Sequence, residues 1–120
     1  MKALLLVAHG SRREASNEEV TALSRRLGEA LGENFDIVET AFLELAPPSI
    51  PDGIRCCINQ GARSVVVVPY FLAAGTHVVN DIPRLVEEAG RVHPETDISV
   101  TPHIGASPLM ADLIRGCAAV

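Results

Sequence analysis

Residues 3–12 read Ala-Leu-Leu-Leu-Val-Ala-His-Gly-Ser-Arg. Six apolar residues without polar alternation form the pattern of a strand buried on both faces, as in a parallel sheet with helices above and below. The run stops abruptly at His9-Gly10, so a polar ring stands where the strand ends. Three further segments rich in Val, Ile and Leu follow, at residues 36–43, 64–70 and 97–101. The third strand, Ser-Val-Val-Val-Val-Pro-Tyr, is the most β-branched stretch of the chain.

Helical patterns separate these segments. A helix is expected to begin near Ser16, where Ser16-Asn17-Glu18-Glu19 fits a capping box. Val20, Leu23, Leu27 and Leu31 share one face, and Gly32 is the expected stop. Pro47-Pro48 separates the second strand from a helix over residues 50–60, which Gly61 ends. A loop over residues 71–76 leads to a helix over 79–89, with Ile82, Leu85, Val86 and Ala89 on one face. The last helix is expected over residues 107–118, capped by Ser107 with Pro108 in its first turn.

Four β-α units in sequence predict a doubly wound α/β domain over residues 1–120. Its four-stranded, mainly parallel sheet is expected in the order 2-1-3-4, with right-handed crossovers and helices on both faces. Ligands of such sheets bind at the carboxyl ends of the strands, where the strand order reverses, here between strands one and three.

Composition narrows the function. The 120 residues are 48% apolar and 21% charged, the balance of a soluble globular domain. A formal charge of −5, one Tyr and three Phe argue against nucleic-acid binding, which favours basic excess and aromatic platforms. No apolar run approaches the roughly 18–20 residues of a membrane span, and the first residues do not fit a signal peptide. A cytoplasmic location without membrane association is expected. Cys56, Cys57 and Cys117 contain no C-x-x-C pair and read as buried small apolar residues.

His9 follows strand one and His77 closes the loop after strand three. Taken singly, His9 reads equally as a polar strand end bonded to a carbonyl, and His77 as a solvent-facing helix start. Together, at the ends of two neighbouring strands, they point to a metal site or an acid–base pair. Neutral imidazole ligates divalent cobalt, nickel, zinc and iron, and its reference pKa of ~6.5 suits proton acceptance at neutral pH. Glu44 ends strand two within an apolar stretch and reads either as a site carboxylate or as a solvated strand end. Ser11, Arg12 and Arg13, with the helix N-termini after each loop, are candidates for holding anions, although exposed arginines are common. Arg84 is a weaker candidate of the same kind. His93 falls in a loop, and His103 follows strand four at the sheet edge; neither is assigned a catalytic role.

These stretches resemble a known family. The segments 5–12 (LLVAHGSR), 41–50 (AFLELAPPSI), 67–77 (VVPYFLAAGTH) and 80–83 (NDIP), together with Ile104-Gly105 and Pro108-Leu109, are similar to the short CbiX-type sirohydrochlorin chelatases of the class II chelatase superfamily. The resemblance spans residues 3–116. It implies a chelatase-like fold and insertion of a divalent metal into sirohydrochlorin, an anionic tetrapyrrole, in cobalamin or related biosynthesis.

It further implies that His9 and His77 bind the metal, with His9 as proton acceptor. The tetrapyrrole would lie against Leu72, Ala73, Ala74, Gly75 and Thr76 and near Glu44 and Pro47. Co²⁺ is favoured on family grounds, with Ni²⁺ and Fe²⁺ as alternatives; the metal is a substrate and no organic cofactor is needed. Family members of this length form homodimers. Some carry an acidic residue in place of Pro47, or a histidine in place of Ala74.

Two other classes compete with this reading. The same histidines would serve a non-catalytic metal-binding or delivery module. A phosphoryl-transfer enzyme with His9 as nucleophile is disfavoured by Ala8, since histidine phosphatases usually carry Arg before His-Gly.

Overall fold

Strand β1 (Lys2–Ala8) is buried along all but its first residue, as its unbroken apolar run requires. It pairs in parallel with β2 (Ile37–Phe42) on one side and with β3 (Ser64–Pro69) on the other. Strand β4 (Asp97–Val100) extends the sheet from β3, again in parallel, so the order is β2-β1-β3-β4. The computed structural model describes residues 1–119, and the side chains of residues 77–79 also lie outside the described set.

Helices α1 (Glu14–Ala30), α2 (Ile50–Asn59), α3 (Thr76–Val92) and α4 (Met110–Ala118) connect and follow the strands, with a short 3-10 turn at Ile104–Ala106 before α4. The main core lies on the face that carries Leu5, Val7, Ala41, Val65 and Val67, packed beneath Ile54 and Cys57 of α2 and Ile82 and Val86 of α3. The predicted apolar face of α3 is therefore the face it buries. On the other side of the sheet α1 lies over β2, where Thr40 and Ser24 share a buried hydroxyl–hydroxyl hydrogen bond of 2.6 Å. The α2 packing has no room to spare. A Cβ on Gly53 would stand 2.8 Å from the Ala41 Cβ and 3.1 Å from a Leu5 methyl. Gly53→Val is accordingly expected to destabilise the domain by about 1–3 kcal/mol through overpacking, measured as a lower urea midpoint at unchanged slope.

Helix starts differ from the sequence expectation in three places, and α3 also runs on past residue 89 to Val92. Helix α1 starts at Glu14, two residues before Ser16. Its cap is Arg13, whose carbonyl accepts from the Ser16 and Asn17 N–H groups with no side-chain cap bond, because a guanidinium carries no acceptor. Helix α3 starts at Thr76, so His77 stands in its first turn rather than closing the loop, and Pro83 falls inside the helix. Extended backbone at Gly75 sets that earlier start. Ser107 does not cap α4. Its hydroxyl accepts from the Leu109 N–H, the chain turns through Pro108 and Leu109, and the helix begins at Met110.

The cysteines separate as well. Cys57 is buried, and burial together with the nearby Glu39 and Cys56 pushes its thiol up to about 12, so it stays neutral. Cys56 and Cys117 are exposed, contrary to the expectation of three buried residues. Neighbours on a helix point about 100° apart, so burying Cys57 turns Cys56 outward. Cys117 is exposed because α4 buries none of its residues.

Candidate active site at the carboxyl ends of β1 and β2

The ladder between β1 and β2 runs on past both strands. The Leu43 N–H donates to the Ala8 carbonyl at 2.9 Å and the Glu44 N–H to the His9 carbonyl at 3.0 Å. On the other side of β1, the Tyr70 N–H donates to Val7 at 2.7 Å. These bonds set His9 and Glu44 side by side at the predicted end of the sheet. His9 Nε2 lies 3.1 Å from Glu44 Oε1, and Nδ1 lies 3.2 Å from the Gly10 carbonyl oxygen. Both neighbours are acceptors, so a neutral ring donates to one of them and an imidazolium donates to both. Phe71 meets the imidazole edge-on, with ring centroids 6.5 Å apart.

His9 and Glu44 are each about half exposed, at 48% and 55% of their side chains, so the pair adds little to stability and is open to an incoming ligand. Its geometry also suits a metal ion. Bonds of about 2.0–2.2 Å from a divalent ion to a nitrogen and an oxygen at adjacent coordination positions leave those atoms about 3 Å apart.

Two backbone features hold this corner. Gly10 has φ +97°, and a Cβ there would stand 1.8 Å from the Glu44 carbonyl oxygen. Only glycine admits both the torsion and the contact. Leu45, at φ +68°, is a non-glycine residue in the left-handed region, a strain of about 1–3 kcal/mol that concentrates at functional sites. The chain then passes through the cis Pro47–Pro48 peptide and returns the Pro48 carbonyl to the Phe42 N–H.

The loop after β1 is fixed by a residue the sequence reading assigned elsewhere. Asn17 Oδ1 accepts from the Ser11 N–H at 2.9 Å, and its Nδ2 donates to the Ser11 carbonyl at 2.8 Å. Ser11 Oγ in turn accepts from the Arg13 N–H. Arg12 and Arg13 are exposed beside this loop, whereas Arg84 is engaged on its own helix with Asp81 and Glu88.

Across the sheet end, residues 72–76 are all exposed, Leu72 at 71%. With Leu45 and Tyr70 they place apolar surface near the strand ends, and Pro47 is exposed too. This loop leans on Gly105, whose N–H donates to the Phe71 carbonyl and where a Cβ would stand 1.7 Å from the Leu72 carbonyl oxygen. Gly105 was legible only as part of the family resemblance; its structural reason is the close approach of two loops.

His77 has its backbone in the first turn of α3, but its side chain lies outside the described residues, so the expected pairing of His9 with His77 does too. Among the described residues no three His, Cys, Asp or Glu side chains gather as a metal site. His103 is half-buried and lines a cavity of about 180 Å³ with Ala74, Ile82 and Pro83. It also lines a larger one of about 650 Å³ that faces α4. His93 lines neither of these but a separate cavity between α2 and α3. Among the described residues no helix is long and apolar enough to cross a membrane.

Comparison with known proteins shows the family and the fold. Residues 3–118 match the sequence model of the CbiX family. The chain is 44% identical over 86 residues to the sirohydrochlorin cobaltochelatase of Methanocaldococcus jannaschii, covering 72% of this chain and 59% of that protein. It is 38% identical over 112 residues to the chloroplastic sirohydrochlorin ferrochelatase of Arabidopsis thaliana, covering 93% and 49%. The chain thus spans about half the length of these curated relatives. Its fold superposes with a TM-score of 0.82, at 31% identity, on the sirohydrochlorin chelatase SirB from Bacillus subtilis subspecies spizizenii in complex with cobalt, covering 98% of this chain and 50% of that one.

Proposed function

As the chain belongs to the CbiX family, we propose that it is a sirohydrochlorin chelatase that inserts a divalent metal ion, Co²⁺ foremost, into the tetrapyrrole. The observation that carries this reading is the contact of His9 Nε2 with Glu44 Oε1 at 3.1 Å, half exposed at the strand ends. His9 and Glu44 together form a nitrogen–oxygen pair with the spacing of two metal ligands. His77, in the first turn of α3, is the third ligand in this proposal.

Metal insertion requires the cation to shed water and two pyrrole N–H protons to leave as the four ring nitrogens bind the ion. His9 accepts a departing proton, after which its two N–H groups face Glu44 and the Gly10 carbonyl. The second proton passes to solvent through the open face of the pair. Leu72, Ala73, Ala74, Gly75 and Thr76, with Leu45 and Pro47, form apolar walls for the flat ring. Ser11, Arg12 and the first turn of α1 meet its carboxylates, which offsets the net negative charge of the chain.

The metal is a substrate, and imidazole with carboxylate suits Co²⁺, Ni²⁺ and Fe²⁺ alike. Cobalt is favoured here because the relative with 44% identity is named a cobaltochelatase and a solved relative holds cobalt. Use of iron or nickel on the same ring is the second reading, and the ferrochelatase name of the Arabidopsis relative favours iron. A flat macrocycle is large for a chain of this size, so the working form in this proposal is a homodimer whose copies jointly cover it.

Glu44→Gln tests the ligand pair. It is expected to weaken Co²⁺ binding, followed by the visible bands of the bound ion, by about 10–100-fold with little change in stability. Unchanged affinity would remove Glu44 from the metal site.

A further inference from the structure

The row of strand ends that carries His9 and Glu44 continues past β3 to β4, where the backbone is held on both sides. The Thr101 N–H donates to the Val67 carbonyl at 2.9 Å, so the ladder outlasts β4 by one residue. His103 then caps the 3-10 turn. Its carbonyl accepts from the Ala106 N–H at 3.0 Å, and the Gly105 N–H ties the turn to Phe71. The imidazole of His103 takes no part in this network. It is half-buried, and among the described residues it has no hydrogen-bond or ion-pair partner.

This ring borders the cavity of about 180 Å³ between the end of the sheet and α3. Among the described residues the walls around it are apolar, with Ala74, Ile82, Pro83 and Val100 in the lining. Thr101 also lines it, but its hydroxyl donates to the Pro102 carbonyl at 2.9 Å. A pocket that encloses a whole small molecule runs to about 300–1,000 Å³, so this one has room for part of a ligand and not for a macrocycle. An apolar recess with one unpartnered imidazole at its edge suits a short methylene stem that ends in a hydrogen-bond acceptor.

The cavity's place in the sheet indicates what the stem belongs to. Strand β1, which ends before His9, and β4, which ends before His103, flank β3 on its two sides. Strands spaced by about 4.8 Å set these two ends about 10 Å apart. Ala74 belongs both to the loop that forms an apolar wall for the flat ring and to the lining of this cavity. A tetrapyrrole centred on His9 and Glu44 extends its rim, with the carboxylate arms attached there, along this row.

We propose that the cavity is a subsite for one carboxylate arm of sirohydrochlorin. The methylene stem lies against Ala74, Ile82 and Pro83, and the carboxylate accepts a hydrogen bond from the His103 ring. This rests on the chelatase reading above and deepens it. His103 becomes a residue of substrate affinity, with no part in metal binding or proton transfer.

Steady-state metal insertion with sirohydrochlorin and Co²⁺ tests the proposal, using His103→Phe and His103→Lys beside the wild type. Phenylalanine keeps a ring and removes its N–H, whereas lysine supplies a charged donor without the ring. His103→Phe is expected to raise KM for sirohydrochlorin by about 10–100-fold, the worth of one hydrogen bond to a charged group, with kcat within about twofold. Binding of the metal-free tetrapyrrole, followed by its visible absorption, should weaken by the same factor. His103→Lys is expected to recover most of the loss, which a packing role for the ring would not allow. Both variants should bind Co²⁺ as the wild type does and keep its urea midpoint. An unchanged KM in His103→Phe would overturn the subsite and leave the chelatase reading in place. Weakened Co²⁺ binding in that variant would overturn it too, by making His103 a metal ligand. A wild type that neither binds nor metallates sirohydrochlorin would remove the chelatase reading, and the subsite with it.

Discussion

Replacing His9 with alanine is expected to lower kcat/KM for metal insertion into sirohydrochlorin by about 100-fold or more, with the fold intact. A positioned general base is typically worth about 10²–10⁴-fold, and in the proposed mechanism His9 is also a metal ligand. The loss should not pass through stability. His9 is exposed, its ion pair with Glu44 is half-solvated, and its ring meets the protein chiefly at the edge of Phe71. A urea midpoint within error of the wild type, together with lost turnover, is the expected pair of results. Wild-type turnover in His9→Ala would remove His9 from the chemistry.

Gly10→Ala is expected to act on the same chemistry from one residue away. An alanine at φ +97° is strained, and its Cβ would fall 1.8 Å from the Glu44 carbonyl oxygen, so one of the two loops must move. The clashing carbonyl belongs to Glu44, whose own N–H bonds the His9 carbonyl, so the shift displaces Glu44 and separates the imidazole from the carboxylate. Strain of this kind costs about 1–3 kcal/mol, and misplacing a reacting group by about 1 Å costs on the order of 10²-fold in rate. Gly10→Ala should therefore lower both stability and turnover, whereas His9→Ala lowers turnover alone. Comparing the urea midpoints of the two variants separates these effects. Turnover retained in Gly10→Ala would show that the corner tolerates displacement of Glu44.

The arrangement of the sheet was legible because its information is local. A six-residue apolar run closed by His9-Gly10 fits a strand covered on both sides, and alternation with amphipathic helices leaves few topologies, so the order β2-β1-β3-β4 followed from pattern. His9 and Glu44 were legible as residues at strand ends, but their contact was not. It depends on the ladder continuing through Leu43 and Glu44 beyond the regular strands and on a glycine torsion that sequence only hints at.

The start of α1 was misplaced for a related reason. Ser16-Asn17-Glu18-Glu19 fits a capping box, yet Asn17 satisfies both backbone groups of Ser11, a contact that local spacing does not encode. Cys56 and Cys57 share their composition and separate only by helix phase. The surface of α4 marks a further limit of pattern reading. Apolar spacing says that a face must be covered, and not by which chain.

The most direct test of the central claim is visible absorption of anaerobic sirohydrochlorin with Co²⁺ at pH 8, with and without catalytic amounts of the protein. Fe²⁺ and Ni²⁺ are run in parallel, and His9→Ala and His77→Ala alongside the wild type. The account predicts conversion of the free-base spectrum well above the uncatalysed rate, fastest with Co²⁺ and lost in both variants. No acceleration with any of the three metals, from folded protein that still binds Co²⁺, would contradict it and leave a metal-binding or delivery module in its place.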